Sequence, residues 1–346
     1  MSIYSNIQTI RYMGNKNKLL EFIVPEIEKL TMPGDIICDI MAGTNSIGYA
    51  CKKRNIVVSN DIQYYSYVVA KCLLSNYALP SSDDMHRDLD DNYNKNKEEK
   101  FYSFFIENYT DTYFAYNQCL DIDSLRYAIE KVENKAKQYL YLTMLMSAMC
   151  KAQSTTGHFA QYMDKNHKRI IPLRELSIYD LFYSKIEDFY QFNTSSYENF
   201  CYNLDFKDLF KEDIIKKVSC FYLDSPYTMD QYSRFYHVLE TVCKYDNPTL
   251  EHKAKYRNDR TQSEFCYKKS VADSFEYIIS NCRKLNANLV ISYSNHGVIP
   301  VEDIVGIGKQ YFPNVKTIYK DYAHSSQGKG TIGINEVLII LNCKEN

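Results

Sequence analysis

Two rhythms of apolar and polar positions divide this chain of 346 residues. Leu19, Phe22, Ile23 and Ile27 recur at helical spacing and predict a helix over 18–30, stopped by Pro33-Gly34. Asp35-Ile36-Ile37-Cys38-Asp39-Ile40 is a continuous apolar run and reads as a strand buried on both faces. The small residues from Met41 to Gly48 open a second helix. Ile56-Val57-Val58-Ser59 predicts a second strand, ending at Asn60-Asp61, and a helix over 64–78 follows. Strand, helix, strand, helix is the start of a doubly wound parallel sheet.

That rhythm is lost over the next 120 residues and returns near Asn199. A helical pattern over 123–151, one long helix or two, is rich in Leu, Met and Tyr, and the stripe reads as core. Phe200 to Phe206 predicts a short strand ending at Asp205, and a helix over 207–217 follows. Phe221-Tyr222-Leu223-Asp224-Ser225-Pro226-Tyr227 is an apolar strand that stops at polar and aromatic groups. Residues 228–270 interrupt the pattern. A helix over 271–284, strands at 288–293, 315–322 and 336–341, and a helix near 301–309 complete it. The expected fold is α/β, with a mostly parallel sheet of about seven strands. Residues 1–79 and 200–346 would form the sheet domain, and 80–199 a mainly helical insertion placed at a loop.

Charge changes this picture locally. The net charge of −2 excludes a globally basic nucleic-acid binder, so such binding must use a patch. Residues 80–135 carry 13 Asp and Glu against 7 Lys and Arg, whereas 150–175 and 244–269 each have a net of +3. The 11 Cys show no C-x-x-C pair and no metal-ligand spacing, which points to reduced thiols in a cytoplasm and to no metal. No run is long enough for a membrane helix, and no signal-peptide pattern opens the chain.

Two constellations carry chemistry. In the first, Asp39-x-x-Ala42-Gly43-Thr44-x-x-x-Gly48 lets a ligand approach the backbone at a helix start. Asp61, after the second strand, suits two ribose hydroxyls. G-x-G-x-x-G is absent, and Asp39 would repel a phosphate but hold an ammonium. This favours S-adenosylmethionine over a nicotinamide dinucleotide, with an ordinary βα turn as the alternative. In the second, Asp224 and the Pro226 carbonyl can each accept one N–H of an aromatic amino group. Its nitrogen lone pair would then turn toward a donor, with Tyr227 stacked on the base. The alternative is a strand ending in a Ser-Pro turn.

Taken in order, these motifs resemble those of bacterial DNA adenine (N6) methyltransferases whose cofactor motif comes first and whose target-recognition region lies in the middle. Arg11-Tyr12-Met13-Gly14-Asn15-Lys16 resembles the N-terminal cofactor motif. Asp39 to Thr44 is similar to D-x-F-A-G-T, with Met41 for Phe. Asp61-Ile62 matches the ribose acid and its neighbour, and Asp205-Phe206 the motif at the cofactor's adenine. Asp224 to Tyr227 resembles D-P-P-Y, with Ser225 replacing the first proline. The resemblance covers about 1–79 and 200–346. It implies a Rossmann-like methyltransferase sheet with a reversed final hairpin and S-adenosylmethionine as cofactor. Arg11, Tyr12, Met13, Gly14, Lys16, Asp39, Ala42, Gly43, Thr44, Asp61, Ile62, Asp205, Phe206 and Asp224 would bind it. Asp224, Pro226 and Tyr227 would act on an adenine flipped from duplex DNA at a specific short site.

Two basic stretches are candidates for DNA contact: Lys151, His158, Gln161, Lys168 and Arg169 in the insertion, and Arg257, Arg260 and Ser263 after the second constellation. A solvated loop is the alternative for each. Asn295-His296-Gly297 either lines the base pocket or is a turn, and the glycine-rich 322–330 could touch a phosphate. A restriction endonuclease is a possible partner, and a membrane is not. Rival functions are methylation of cytosine N4, of RNA or of a protein glutamine, and a catalytically inactive DNA-binding subunit.

Overall fold

The computed structural model describes residues 9–189, 195–321 and 335–344; the predicted phosphate-contacting loop 322–330 lies outside them. The strands in chain order are β1 (Ile36–Asp39), β2 (Ile56–Asn60), β3 (Phe200–Tyr202), β4 (Val218–Asp224), the short β5 (Leu250–Glu251) and β6 (Tyr256–Arg257), then β7 (Asn288–Ser294), β8 (Asn314–Asp321) and β9 (Asn335–Asn342). Seven of them form one sheet in the order β3-β2-β1-β4-β7-β9-β8, and β5 pairs with β6 apart from it. Neighbours from β3 to β7 run parallel, and β9 is antiparallel to both β7 and β8. The mostly parallel seven-stranded sheet and its reversed final hairpin agree with expectation.

The strand period explains how the sheet is covered. Along β4, Cys220 and Tyr222 face one apolar core while Phe221 and Leu223 face the other. Both faces are dry, so the strand is apolar throughout. The second core is closed by Phe275, Ile278 and Ile304 from the helices Val271–Lys284 and Val301–Tyr311. The first is continuous with the middle of the chain: Leu145 and Met149 of helix Lys135–Ala152 share it with Val57, Val68, Val238 and Val242.

The middle segment is helical. The pattern over 123–151 is two helices, Tyr116–Glu130 and Lys135–Ala152, because Asn134 caps the second by accepting from the Lys137 N–H. The helix expected over 207–217 is also divided. Phe206–Leu209 is one α-turn, Glu212 is extended, and Asp213–Lys217 is a 3₁₀ turn. The interruption at 228–270 contains a turn of helix, Tyr232–Phe235, and a longer helix, His237–Lys244. The longer one packs on Lys135–Ala152 and on Tyr64–Leu74. Its Glu240 accepts from the Tyr64 and Tyr65 N–H groups, 3.2 and 3.0 Å away. A carboxylate at that helix N-terminus satisfies two orphan donors and complements the helix dipole.

Candidate active site

The chain leaves β1 toward β2 and β3 on one side of the sheet and returns through β4 on the other. The crevice at the carboxyl ends of β1 and β4 is therefore the switch point of the topology. A cleft of about 1060 Å³, part of it open to solvent, lies there. Its walls include Asp39, Asp61, Leu204 to Phe206, and Asp224 to Tyr227, the tips of four neighbouring strands.

Two backbone features build the β1 side. Gly43 takes φ +52° and Asn45 φ +59°, and this bend starts helix Ser46–Cys51. A Cβ on Gly43 would lie 3.2 Å from the Tyr12 ring, so the loop needs glycine twice over, for its backbone and for its space. Asp61 ties the loop to β2: its Oδ2 accepts from the Gly43 N–H at 2.9 Å and its Oδ1 from the Gln63 N–H at 2.8 Å. Burial pushes Asp61 up to about 6, although those N–H groups oppose the shift. Asn60 joins the strand tips, donating to the Ile40 and Leu204 carbonyls. Beyond β3, Asp205 caps the Phe206 turn by accepting from the Lys207 N–H, and Phe206 is buried. Ile62 is partly exposed at the rim.

The N-terminal motif forms the opposite wall. Tyr12 stacks on Tyr236 with ring centroids 4.6 Å apart, and the Met13 N–H donates to the Tyr236 hydroxyl at 2.6 Å. The Tyr232 hydroxyl donates to the Met13 carbonyl. Gly14 sits at φ +78°, where a Cβ would meet that hydroxyl at 3.1 Å. Thr44 accepts from the Asn15 amide. Arg11 departs from expectation. It is absent from the cleft lining, and its guanidinium packs on the Gly157 backbone, where a Cβ would lie 3.1 Å from Nη2. The Arg11 side chain is exposed and turns toward the insertion, its charged head kept in water.

Lys16 does line the cleft, but its ammonium is engaged by protein acids. Nζ is 3.1 Å from Asp224 Oδ1 and 2.9 Å from Glu336 Oε1. Burial raises Asp224 to about 6, and Lys16 opposes that rise. Lys16 itself is held well above its ordinary value, because the attraction of Asp224 and Glu336 exceeds the effect of burial. Desolvation of the acid thus outweighs the pull of one ammonium, while the ammonium gains from two acids. Glu336 was not anticipated from sequence. Nor were Tyr232 and Tyr236, which hold Met13.

The remaining wall is 261–264. Gln231 accepts from the Ser263 N–H and donates to its carbonyl, at 2.7 and 3.2 Å. Ser263, expected at DNA, is therefore part of the cleft wall. Arg257, also expected at DNA, is 1% exposed, and its guanidinium bridges Asp246 and Asp259 with four contacts of 2.6–2.9 Å. A guanidinium buried between two acids has no free edge for a phosphate. Arg260 is half-buried, with its Nε donating to the Arg257 carbonyl and its guanidinium over the Tyr256 ring. His158 is half-buried against Phe235, and burial lowers its pKa. Lys151, Gln161, Lys168 and Arg169 are exposed. Asn295 to Gly297 form a turn over a shallow hollow with Pro300 and Tyr319, apart from the cleft.

The cleft has unmet polar capacity. Asp39 Oδ1, Ser225 Oγ and Tyr222 Oη are buried without hydrogen-bond partners, and all three residues line it. Burial, then the charge of Asp224, holds Asp39 well above the usual carboxylate range. A ligand with a cationic amino end and acceptor oxygens would answer both kinds of group. Among the described residues no cluster of three or more His, Cys, Asp or Glu could hold a metal ion.

Comparison with known proteins agrees with this geometry. Residues 12–307 match the family model of the D12 class N6 adenine-specific DNA methyltransferases. The chain is 30% identical to modification methylase LlaI of Lactococcus lactis subsp. lactis, over 95% of this chain and 54% of that protein. It is 28% identical to the type II methyltransferase M.FokI of Planomicrobium okeanokoites, over 90% of this chain and 48% of that one. It is 26% identical to M.NlaIII of Neisseria lactamica, with 90% and 92% covered. The chain thus spans about half the length of the first two relatives.

Proposed function

The chain belongs to the D12 class of N6 adenine-specific DNA methyltransferases, and we propose that it transfers a methyl group from S-adenosylmethionine to the N6 amino group of an adenine flipped out of a specific site in duplex DNA. The observation that carries this reading is the place of Asp224. It ends β4 at the switch point, held by Lys16, in the same cleft as Asp39, Gly43 and Asp61.

Methyltransferases of this kind generally use S-adenosylmethionine, and the cleft's unmet groups fit it. Asp39 would take the amino end, Asp61 the ribose hydroxyls, and Asp205 with Phe206 the adenine. When bound, it supplies an electrophilic methyl on a sulfonium, the carbon–sulfur bond breaking as the new carbon–nitrogen bond forms.

The protein's own part is orientation and charge. Adenine's amino lone pair is delocalised into the ring. Asp224 and the Pro226 carbonyl accept its two N–H groups and draw that lone pair out, while Tyr227 stacks on the base. The nitrogen becomes cationic on alkylation, and Asp224 stabilises it and takes the released proton toward solvent. Removing the base from the helix is required because the amino group is otherwise paired and stacked. Exposed Lys151, Lys168 and Arg169, with Gln161, would meet the duplex, and the acidic face of 80–135 would lie away from it.

The relatives are named modification methylases, and an endonuclease partner would fit that role. No described helix is long and apolar enough to cross a membrane, and a cytoplasmic location would fit a DNA substrate. The test is incubation with methyl-labelled S-adenosylmethionine and mixed-sequence DNA, followed by mass spectrometry of the nucleosides. Labelled N6-methyladenine is expected, and Asp224→Ala should abolish it while cofactor binding persists. Label in N4-methylcytosine, in RNA or in protein, or no label despite cofactor binding, would refute the reading.

A further inference from the structure

The last strand of the sheet, outside the residues matched by the family model, reaches Lys16 in the cleft wall. Glu336 on β9 is 2% exposed and lies 2.9 Å from Lys16 Nζ. Lys16 is itself 3.1 Å from Asp224. The Ser292 hydroxyl of β7 donates to the same Glu336 oxygen that Lys16 holds. Side chains from β4, β7, β9 and the N-terminal motif therefore form one chain of contacts that ends on the Asp224 carboxylate.

A buried glutamate is hard to explain as mere lysine solvation. Asp224 alone would neutralise Lys16. Two acids about one ammonium leave a net negative charge, which burial makes unfavourable unless something cationic is offered in return. The reaction proposed above would bring that twice, in a sulfonium and in a nitrogen that gains positive charge on alkylation.

Resting on the function proposed above, we propose that Glu336 is a positioning residue for methyl transfer. Through Lys16 it fixes the Asp224 carboxylate, and it cancels the lysine's charge so that Asp224 keeps its full acceptor strength toward the amino group. Without Glu336, Lys16 would draw on Asp224 alone, and less of that carboxylate's charge would be left for the forming cation. The charged groups that bear on Asp224 are Lys16 and Glu336, while Asp224 in turn raises the pKa values of Asp39, Tyr222 and Tyr232. Of these, Glu336 raises the pKa of Asp224 and Lys16 lowers it.

Glu336→Gln keeps the shape and an acceptor for Ser292 and removes the charge. In single-turnover methylation, the rate is expected to fall about tenfold or more, with the dissociation constant for S-adenosylmethionine changed by less than about twofold. The acid limb of the rate profile should move to lower pH, because loss of Glu336 makes the Asp224 carboxylate easier to form. The carboxyl ¹³C shift of labelled Asp224, assigned with Asp224→Asn, should titrate lower in the same variant. An unchanged rate with an unmoved limb overturns the proposal, as does a lower melting temperature with an unmoved limb. If Glu336→Gln does not fold, Ser292→Ala takes its place. It frees Glu336 without discharging it and should slow transfer about threefold with the limb unmoved; an unchanged rate overturns the proposal. If wild type transfers no methyl group to DNA, the proposed function fails, and the ¹³C titration alone decides whether Glu336 sets the acidity of Asp224.

Discussion

Arg257 tests the division between groups that hold the molecule and groups that would meet DNA. Arg257→Met keeps most of the buried stem and deletes four contacts to Asp246 and Asp259. Counted singly, charge-assisted hydrogen bonds contribute about 1.5–3 kcal/mol each, but that sum does not apply here. The Asp246 and Asp259 side chains are 39% and 48% exposed, so both regain water when the guanidinium goes. What remains is the lost order of the β5–β6 turn and an imperfectly filled site, and the net destabilisation is about 2 kcal/mol. The melting temperature should fall by roughly 3–6 °C. The decisive assay is DNA affinity against salt concentration. Each phosphate contact contributes about 0.9 to the slope of log K against log salt, so Arg257→Met should leave the slope unchanged. Lys168→Ala, which removes an exposed cation, should flatten it by about one and leave melting unaltered. A flatter slope in Arg257→Met with wild-type melting would show that the buried arginine reaches DNA and that its aspartate bridges open on binding.

The acid limb of kcat/KM should lie near pH 6, the value to which burial raises Asp224. The carboxylate is the active form, so the rate should fall about tenfold per pH unit below that point. A limb near pH 4 would mean that Asp224 is solvated in the working enzyme. Gly43→Ala forces φ +52° on a residue with a Cβ and presses that carbon to 3.2 Å from Tyr12. The left-handed backbone costs a residue with a Cβ about 1–2 kcal/mol, so a free loop that relaxes must be re-strained on binding, and S-adenosylmethionine should bind about tenfold more weakly in calorimetry; unaltered affinity would show that the free protein carries the strain as well.

Much of the cleft was legible because a parallel sheet puts its chemistry where its apolar runs stop. Asp39, Asp61, Asp205 and Asp224 each follow such a run, and the order of the strands brings those four stops together. What was not legible depends on pairing across long separations. Glu336 opens an apolar run and looks like the solvated start of a strand. Its meaning comes from Lys16, 320 positions away, and no local pattern contains that contact. Arg257 erred in the opposite sense. It lies in a stretch with a net positive charge, and net charge cannot show that the two aspartates beside it consume one cation completely. Tyr232 and Tyr236 were hidden within an interruption of the sheet pattern, yet both hold Met13 and pack against the Tyr12 ring, Tyr236 by stacking. The common cause is that strand ends are set by the chain's own periodicity, whereas the charge left available at those ends is set by partners from elsewhere in the fold. An acid at a strand tip can therefore be named from sequence as a candidate, but its acidity and its free oxygen are properties of the assembled cleft. Asp224 shows this directly, since Lys16 and Glu336 act on it in opposite directions from the two ends of the chain.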